Sequence, residues 1–175
     1  MSEPANRRID RIRDPGFVQG LSELPLEELR QRREECLAER EYLSLLRRLV
    51  QGRAEILKAE VERRGGSGDD APLVERLGEI LSGDPHGPSR GEAVRITLPQ
   101  EEMLRARRRV ERLVSDAGLS DPGALDDERL AEAVEVLARE EREVSASRNQ
   151  VFGALNALQD ELKRRYKDDP TLALA

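Results

Sequence analysis

Two stretches of the chain repeat one pattern of side chains whose types could bind a nucleotide. The pattern recurs at spacings of 4, 3, 4 and 4, with Arg40, Ser44, Arg47, Gln51 and Glu55 in the first stretch and Glu141, Ser145, Arg148, Phe152 and Asn156 in the second. This spacing keeps each set within a narrow arc of one helix. Arginine can donate paired hydrogen bonds to guanine or phosphate, and glutamate can accept hydrogen bonds from guanine. The pattern therefore favours nucleotide recognition over the simpler alternative, a solvated helix face.

The two stretches lie in longer segments that align without a gap at a distance of 101 residues. Residues 24–64 then meet residues 125–165, and 13 of the 41 aligned positions are identical. Two of the identical residues are Gly52 and Gly153, although glycine inside a helix costs about 1 kcal/mol relative to alanine. Their recurrence indicates a close approach to the helix backbone or common descent, and the alignment as a whole predicts an internal duplication.

The composition favours long helices over a compact α/β domain. Charged residues make up 38% of the chain and aromatic residues only 2%, so a core must be built from aliphatic stripes on helices. The formal net charge is −6, which disfavours nonspecific binding to duplex DNA. Cys36 is the only cysteine and lies among apolar residues, so we expect a buried thiol in a reducing compartment.

The order of elements predicts an all-α fold, a long antiparallel helical hairpin or coiled coil with short helices in its connector. The predicted parts are a flexible N-terminal segment over residues 1–19 and a single helical domain over residues 20–175. Within that domain we expect a long helix over about 24–64, a connector over 65–123, a second long helix over about 126–167 and a short tail. In the connector, one short helix is predicted over 72–81 and another over 99–118, because Pro and Gly punctuate these segments.

The sequences "YLSLLRRLVQGRAEIL" and "EREVSASRNQVFGALNALQDELKRRY" resemble the actinobacterial RsiG family of anti-sigma factors. The resemblance covers both long helices. It implies an antiparallel coiled coil whose helices carry the pattern E-x3-S-x2-R-x3-Q-x3-D and bind cyclic di-GMP. It also implies that the ligand-bound protein sequesters a WhiG-type sigma factor of the flagellar class.

The resemblance assigns eight residues to the cyclic di-GMP site, namely Ser44, Arg47, Gln51, Glu55, Glu141, Ser145, Arg148 and Asn156. Neither copy of the pattern is complete, because Glu55 and Asn156 stand where the pattern has its final Asp. Two further positions, Arg40 and Phe152, also depart from the pattern and are possible additional contacts. Arg40 stands where the pattern has its leading Glu, and a guanidinium cannot accept a hydrogen bond from guanine. Phe152 stands where the pattern has Gln, and it could stack on a base or pack against another protein.

No motif of an enzyme or a metal site is found in the sequence. His86 has no second His and no Cys nearby, and the sequence contains no Gly-rich phosphate loop. We therefore expect no catalytic residues, no metal and no catalytic cofactor. Without a signal peptide or a long apolar run, a cytoplasmic location is expected. The sequence leaves open a homodimer or helix-swapped dimer, and a coiled-coil structural or adaptor protein without a nucleotide ligand.

Overall fold

The computed structural model describes residues 8–65, 98–116 and 121–173, and these residues are helical apart from short connections. Four α-helices follow one another: α1 (Arg8–Arg13), α2 (Leu26–Arg64), α3 (Gln100–Asp116) and α4 (Asp127–Asp168). Short 3₁₀ turns span Pro15–Phe17, Leu21–Glu23, Pro122–Ala124 and Pro170–Ala173. The predicted all-α fold with two long helices is confirmed. The short helix expected over 72–81 and His86 both lie outside the described residues.

Local sequence signals explain where the long helices begin and end. Helix α2 begins directly after Pro25, whose fixed φ suits the start of a helix. Helix α4 is capped by Asp126, whose carboxylate accepts a hydrogen bond from the backbone N–H of Arg129 at 2.8 Å. At the other end of α2, the N–H of Gly65 donates to the carbonyl of Val61 at 2.9 Å. These boundaries agree with the predicted ones to within about two residues.

The chain divides into two compact units, each formed by half of α2 and half of α4. Unit 1 comprises the described residues of Met1–Ser44 and Ser145–Ala175, and unit 2 those of Leu45–Val144. In unit 1, Arg30 donates to the hydroxyl of Tyr166 at 3.2 Å, and Arg148 donates to Ser44 at 3.3 Å. Residue numbers thus rise along α2 while they fall along α4, so the two helices are antiparallel, as the sequence predicted.

The same antiparallel pairing holds inside unit 2. Gln51 donates to Glu141 at 2.6 Å, and Arg64 donates to Asp127 at 2.9 Å. Aliphatic stripes meet in both units. Fully buried side chains are Leu29, Cys36, Val151 and Leu158 in unit 1 and Leu46, Val50, Ala106 and Leu137 in unit 2. Each unit therefore has an apolar core built without tryptophan, as the composition required.

Helix α1 corrects the prediction of a flexible segment over residues 1–19. Residues 8–17 form this helix and the turn after it, and Ile12 is buried with 5% of its surface exposed. Arg8 pairs with Glu39 at 2.9 Å, and Arg13 donates to Ser147 at 2.7 Å. The helix is held mainly by charged side chains, so a search for apolar periodicity could not detect it. Residues 1–7 lie outside the described residues.

The contacts of α1 recur 101 residues later in α3. Arg8 donates through Nε to Glu39 at 2.9 Å in unit 1, and Arg109 donates through Nε to Glu140 at 2.9 Å in unit 2. The two arginines and the two glutamates are each separated by 101 residues, the offset found for the long helices. The internal duplication therefore extends to α1 and α3.

A carboxylate–arginine clamp also occurs once in each unit, formed by Glu60, Arg63 and Arg64 in unit 2 and by Glu161, Arg164 and Arg165 in unit 1. In unit 2 the guanidinium of Arg64 bridges Glu60 at 2.7 Å and the carbonyl of Pro122 at 3.0 Å. In unit 1 Arg165 bridges Glu161 at 2.9 Å and the carbonyl of Leu21 at 2.8 Å. Each clamp thus fastens the last turns of a long helix to the turn before the partner helix.

The arginines hold both clamp carboxylates in the charged form. Hydrogen bonds from Arg63, and then from Arg64, lower the pKa of Glu60 to about 2 despite desolvation. Hydrogen bonds from Arg164 and Arg165 lower the pKa of Glu161 to about 2. Since both pKa values lie below the ordinary value for glutamate, both carboxylates stabilise the folded chain at neutral pH.

Cys36 behaves as the small core residue that the sequence predicted. Burial, followed by the charges of Glu35 and Glu39, raises the pKa of its thiol to about 12. A thiol that stays protonated at neutral pH is a poor nucleophile. Over the described ranges, no helix is long and apolar enough to cross a lipid bilayer.

Candidate functional site

The acceptor cluster, defined as Arg47, Gln51 and Glu141, lies in unit 2. Gln51 Nε2 donates to Glu141 Oε1 at 2.6 Å, and Arg47 Nη2 forms an ion pair with the same oxygen at 3.5 Å. The side chains of Arg47 and Glu141 are 39% and 33% exposed, so both remain accessible. The second carboxylate oxygen of Glu141 has no hydrogen-bond partner within the described part of the chain, and it is available to a planar donor such as guanine.

The Nε–H group of Arg47 is an unsatisfied donor. Its Nε atom is buried, yet it donates to no acceptor in the part of the chain that the structure describes. Leaving such a donor unsatisfied costs about 1–3 kcal/mol. An oxygen atom supplied by a ligand or a partner would remove that cost.

Glu55, the last residue of the first pattern, is not joined to the acceptor cluster by a hydrogen bond. It is exposed and accepts from Lys58 Nζ at 3.0 Å. That hydrogen bond, with the charges of Glu55 and Glu141, raises the pKa of Lys58. Lys58 was missed in the sequence analysis, although its position three residues after Glu55 is typical of a helical ion pair. Its positive charge belongs to the electrostatic environment of the acceptor cluster.

The cation–ring cluster, defined as Arg40, Ser44, Arg148 and Phe152, lies in unit 1. Arg148 Nε donates to Ser44 Oγ at 3.3 Å, and Ser44 Oγ donates to the backbone carbonyl of Arg40 at 2.7 Å. Phe152 follows Arg148 by one helical turn and is 52% exposed, an unusual exposure for a large apolar side chain. The two remaining predicted residues in unit 1, Ser145 and Asn156, make no hydrogen bond to any member of this cluster.

The two clusters occupy equivalent positions of the duplication but carry opposite chemistry. At an offset of 101 residues, Glu141 corresponds to Arg40 and Gln51 corresponds to Phe152. The carboxylate that Gln51 and Arg47 contact in the acceptor cluster is therefore replaced by a guanidinium in the cation–ring cluster. Among the described residues, neither Arg40 nor Arg148 has a carboxylate within ion-pair distance. Phe152, one helical turn after Arg148, is exposed.

The two glycines next to these clusters leave the helix backbone open. A Cβ atom built on Gly52 or Gly153 would meet nothing within 4 Å in the described part of the chain, apart from the neighbouring residues and the local helix backbone. Packing within the chain therefore does not require glycine at either position. The sequence offered two explanations for the repeated glycines. No described residue approaches the helix backbone closely at either position, so a close approach requires a group outside the described residues; the alternative is common descent.

Comparison with known protein families gives a match to a family described as RsiG-like, over residues 15–81. The chain is similar to the RsiG-like family over its first repeat. The resemblance predicted from the two quoted stretches is thereby confirmed, and the matched residues include the whole of α2 with Ser44, Arg47, Gln51 and Glu55. Among curated proteins, no match was found.

RsiG-like proteins are anti-sigma factors, and the match over residues 15–81 suggests a regulatory, anti-sigma role. The matched range ends at residue 81, so it does not include Glu141, Ser145, Arg148 or Asn156. The relation of these residues to the family rests on the internal duplication. Over the described ranges, no three His, Cys, Asp or Glu side chains lie together as metal ligands would.

Proposed function

We propose that the chain is an anti-sigma factor that binds cyclic di-GMP and, with it bound, sequesters a WhiG-type sigma factor of the flagellar class. The observation that carries the proposal is the match to the RsiG-like family over a range that contains the first Ser–Arg pattern. The acceptor cluster and the cation–ring cluster carry polar groups that suit the two parts of this ligand. One offers a carboxylate for guanine and the other offers guanidinium groups for phosphate.

Each cluster has a role in this proposal that follows from its contacts. Glu141 accepts hydrogen bonds from guanine through its second carboxylate oxygen, and Gln51 fixes the orientation of that carboxylate. Arg47, which forms an ion pair with Glu141, binds guanine or phosphate. Arg148 and Ser44, already in contact at 3.3 Å, bind phosphate or a base edge. Further polar partners in the proposed site are Glu55, Ser145 and Asn156.

Charge complementarity supports a basic sigma-factor surface as the protein partner. The formal net charge of the chain is −6. Acidic helix surfaces steer a basic partner during encounter and suppress binding to other acidic proteins. The charge also fits the expectation that the chain binds no DNA directly, since nonspecific DNA affinity requires a basic surface.

A helical adaptor without a nucleotide ligand is the second candidate function. It is favoured by one specific observation, the 2.6 Å hydrogen bond between Gln51 and Glu141. This bond and the ion pair from Arg47 already satisfy one oxygen of the carboxylate within the chain. In an adaptor, these contacts would serve to hold α2 and α4 in register inside unit 2.

Capture of a purified WhiG-type sigma factor by the immobilised chain separates the two functions. We expect capture to depend on cyclic di-GMP and to be absent with GMP, because a single GMP cannot place two guanines and two phosphates at once. Isothermal titration of the chain with cyclic di-GMP, alone and with the sigma factor, gives the matching binding signal. Capture at equal levels with and without nucleotide, together with no heat of binding, would establish the adaptor.

A further inference from the structure

Helix α3 carries a row of exposed arginines that the proposed nucleotide site does not use. The row, called the basic face below, consists of Arg105, Arg108 and Arg112. Their spacing of 3 and 4 places the three side chains on one side of the helix. The other side of α3 contains the buried residues Ala106 and Val110, so the basic face points away from the core of unit 2.

The guanidinium groups of the basic face are available to an acceptor from outside. In the part of the chain that the structure describes, no carboxylate forms an ion pair with any of the three. By contrast, Arg109 on the same helix pairs with Glu140 of α4 at 2.8 Å. Two exposed glutamates of α3, Glu101 and Glu111, lie within about one turn of the basic face without pairing with it.

The internal duplication shows that the second repeat has lost one carboxylate at this surface. In the first repeat, Arg11 of α1 pairs with Glu35 of α2 at 3.0 Å. At the offset of 101 residues, Arg11 corresponds to Arg112, but Glu35 corresponds to Val136. Arg112 therefore keeps the cation of that ion pair without its acceptor.

The rest of the basic face lies in turns of α3 that have no counterpart among the described residues of the first repeat. Helix α3 begins at Gln100, nine residues before Arg109, and Arg109 is the counterpart of the first residue of α1. Arg105 and Arg108 belong to these added turns. Leu104 lies beside them with 40% of its surface exposed. Arginine is enriched in protein–protein interfaces, and an adjoining apolar side chain adds contact area there.

We propose that the basic face is a docking surface for an acidic segment of a partner protein. Guanidinium groups pair with carboxylates through two parallel hydrogen bonds, and Leu104 supplies an apolar contact at the edge. A nucleic acid fits this surface less well, because the basic face spans only about 10 Å of helix and the flanking Glu101 and Glu111 would repel further phosphates. A membrane surface also fits less well, since Leu104 is the one large exposed apolar residue among the described residues of α3.

The probe for this surface is a synthetic helical peptide labelled with fluorescein. The peptide carries glutamates spaced four and three residues apart and a leucine one turn away. We expect fluorescence anisotropy to show that the full chain binds it, with an affinity that falls as salt is added, because salt screens exposed charges. Replacing the basic face by glutamine (Arg105→Gln, Arg108→Gln and Arg112→Gln together) should weaken binding at least about tenfold, since three ion pairs are lost.

Two controls separate the basic face from a general effect of charge or folding. Arg53→Gln, Arg129→Gln and Arg139→Gln together make the same charge change at exposed arginine side chains without a described partner, and binding should stay within about twofold of wild type. The peptide with glutamine in place of each glutamate should not bind the wild-type chain. This second control needs no change in the protein, so it tests the proposal even if the triple variant of the basic face does not fold.

Each result of these titrations decides the proposal. The basic face is only a solvated surface if the wild-type chain does not bind the acidic peptide, or if loss of the basic face or of the peptide's glutamates leaves binding unchanged. An equal loss in the control variant would overturn the proposal as well. Tighter binding of a short DNA duplex, or of vesicles of phosphatidylglycerol and phosphatidylcholine, through the same arginines would overturn the choice of a protein partner. None of these titrations contains cyclic di-GMP or a sigma factor, so the proposed function is tested separately.

Discussion

Replacing Arg47 and Arg148 together by alanine is expected to weaken cyclic di-GMP binding at least about 100-fold. Each guanidinium would make charge-assisted hydrogen bonds to the ligand, and losing such bonds costs about 1.5–3 kcal/mol per residue. Arg47 lies in the first repeat, and Arg148 occupies the equivalent position of the second repeat. The double variant therefore tests the contribution of both repeats to binding. Isothermal titration of the folded variant measures the loss.

The fold should tolerate this pair of changes. Gln51 still holds Glu141 when Arg47 is shortened, and Arg148 is an exposed residue whose only described hydrogen bond is to Ser44. Arg53→Ala with Arg139→Ala is the matched control, because it removes one exposed arginine from α2 and one from α4. If the Arg47 and Arg148 double variant bound the ligand within a factor of about two of wild type, the assignment of the Ser–Arg patterns would be wrong.

Replacing Glu60 and Glu161 together by glutamine is expected to make the free energy of unfolding less dependent on pH below about pH 5. The pKa of each carboxyl is lowered to about 2 in the folded chain by hydrogen bonds from arginines. Their stabilising contribution is complete above the unfolded pKa of about 4.5 and is lost as the pH falls towards 2. The free energy of unfolding of the wild-type chain should therefore fall steeply between about pH 5 and pH 2, and that of the double variant should fall much less.

The same variant should also be less stable at neutral pH. The clamp arginines lose their charge-assisted hydrogen bonds to a carboxylate. This loss should lower the free energy of unfolding of the variant by at least about 1 kcal/mol. Urea unfolding followed by circular dichroism at several pH values gives both results. Glu128→Gln with Glu132→Gln is the control pair, since both glutamates are exposed and have no described partner. If the free energy of unfolding fell equally with pH in the clamp variant and in wild type, the clamps would not be the cause of the loss of stability in acid.

The long helices could be predicted from sequence because their signals are strong and local. Pro25 and Asp126 mark the starts, Gly65 and Pro170 follow the ends, and aliphatic residues recur at helical spacing between them. Helix α1 could not be predicted in the same way, because six residues with one buried apolar side chain give no periodicity. Its partners, such as Glu39, are distant in sequence, and only the offset of 101 residues could have suggested them.

The sequence predicted candidate site residues but not the contacts between them. The repeated spacing predicted that Ser44, Arg47 and Gln51 share one arc of a helix, and in the structure all three lie within α2. Which residue of α4 each one meets depends on the register of the two antiparallel helices, and a single sequence does not encode that register in a local signal. Hence the bond from Gln51 to Glu141 emerged only from the structure.

The same register also determines which residues lie near the two departures from the repeated pattern. In sequence, Arg40 and Phe152 are two unrelated replacements at distant positions. In unit 1, Ser44 donates to the backbone carbonyl of Arg40, and Arg148, one helical turn before Phe152, donates to Ser44. The contact between Arg148 on α4 and Ser44 on α2 could not be deduced from either replacement alone, because side-chain proximity between the two helices is a tertiary property.

A crystal structure of the chain grown with cyclic di-GMP tests the central claim most directly. We predict that the carboxylate of Glu141 accepts hydrogen bonds from a guanine, and that Arg148 and Ser44 contact a phosphate. The hydrogen bond from Arg148 to Ser44 should lengthen or be replaced as the ligand binds. Ligand density at another surface, with the Gln51–Glu141 and Arg148–Ser44 contacts unchanged, would contradict the claim that these two clusters bind the nucleotide.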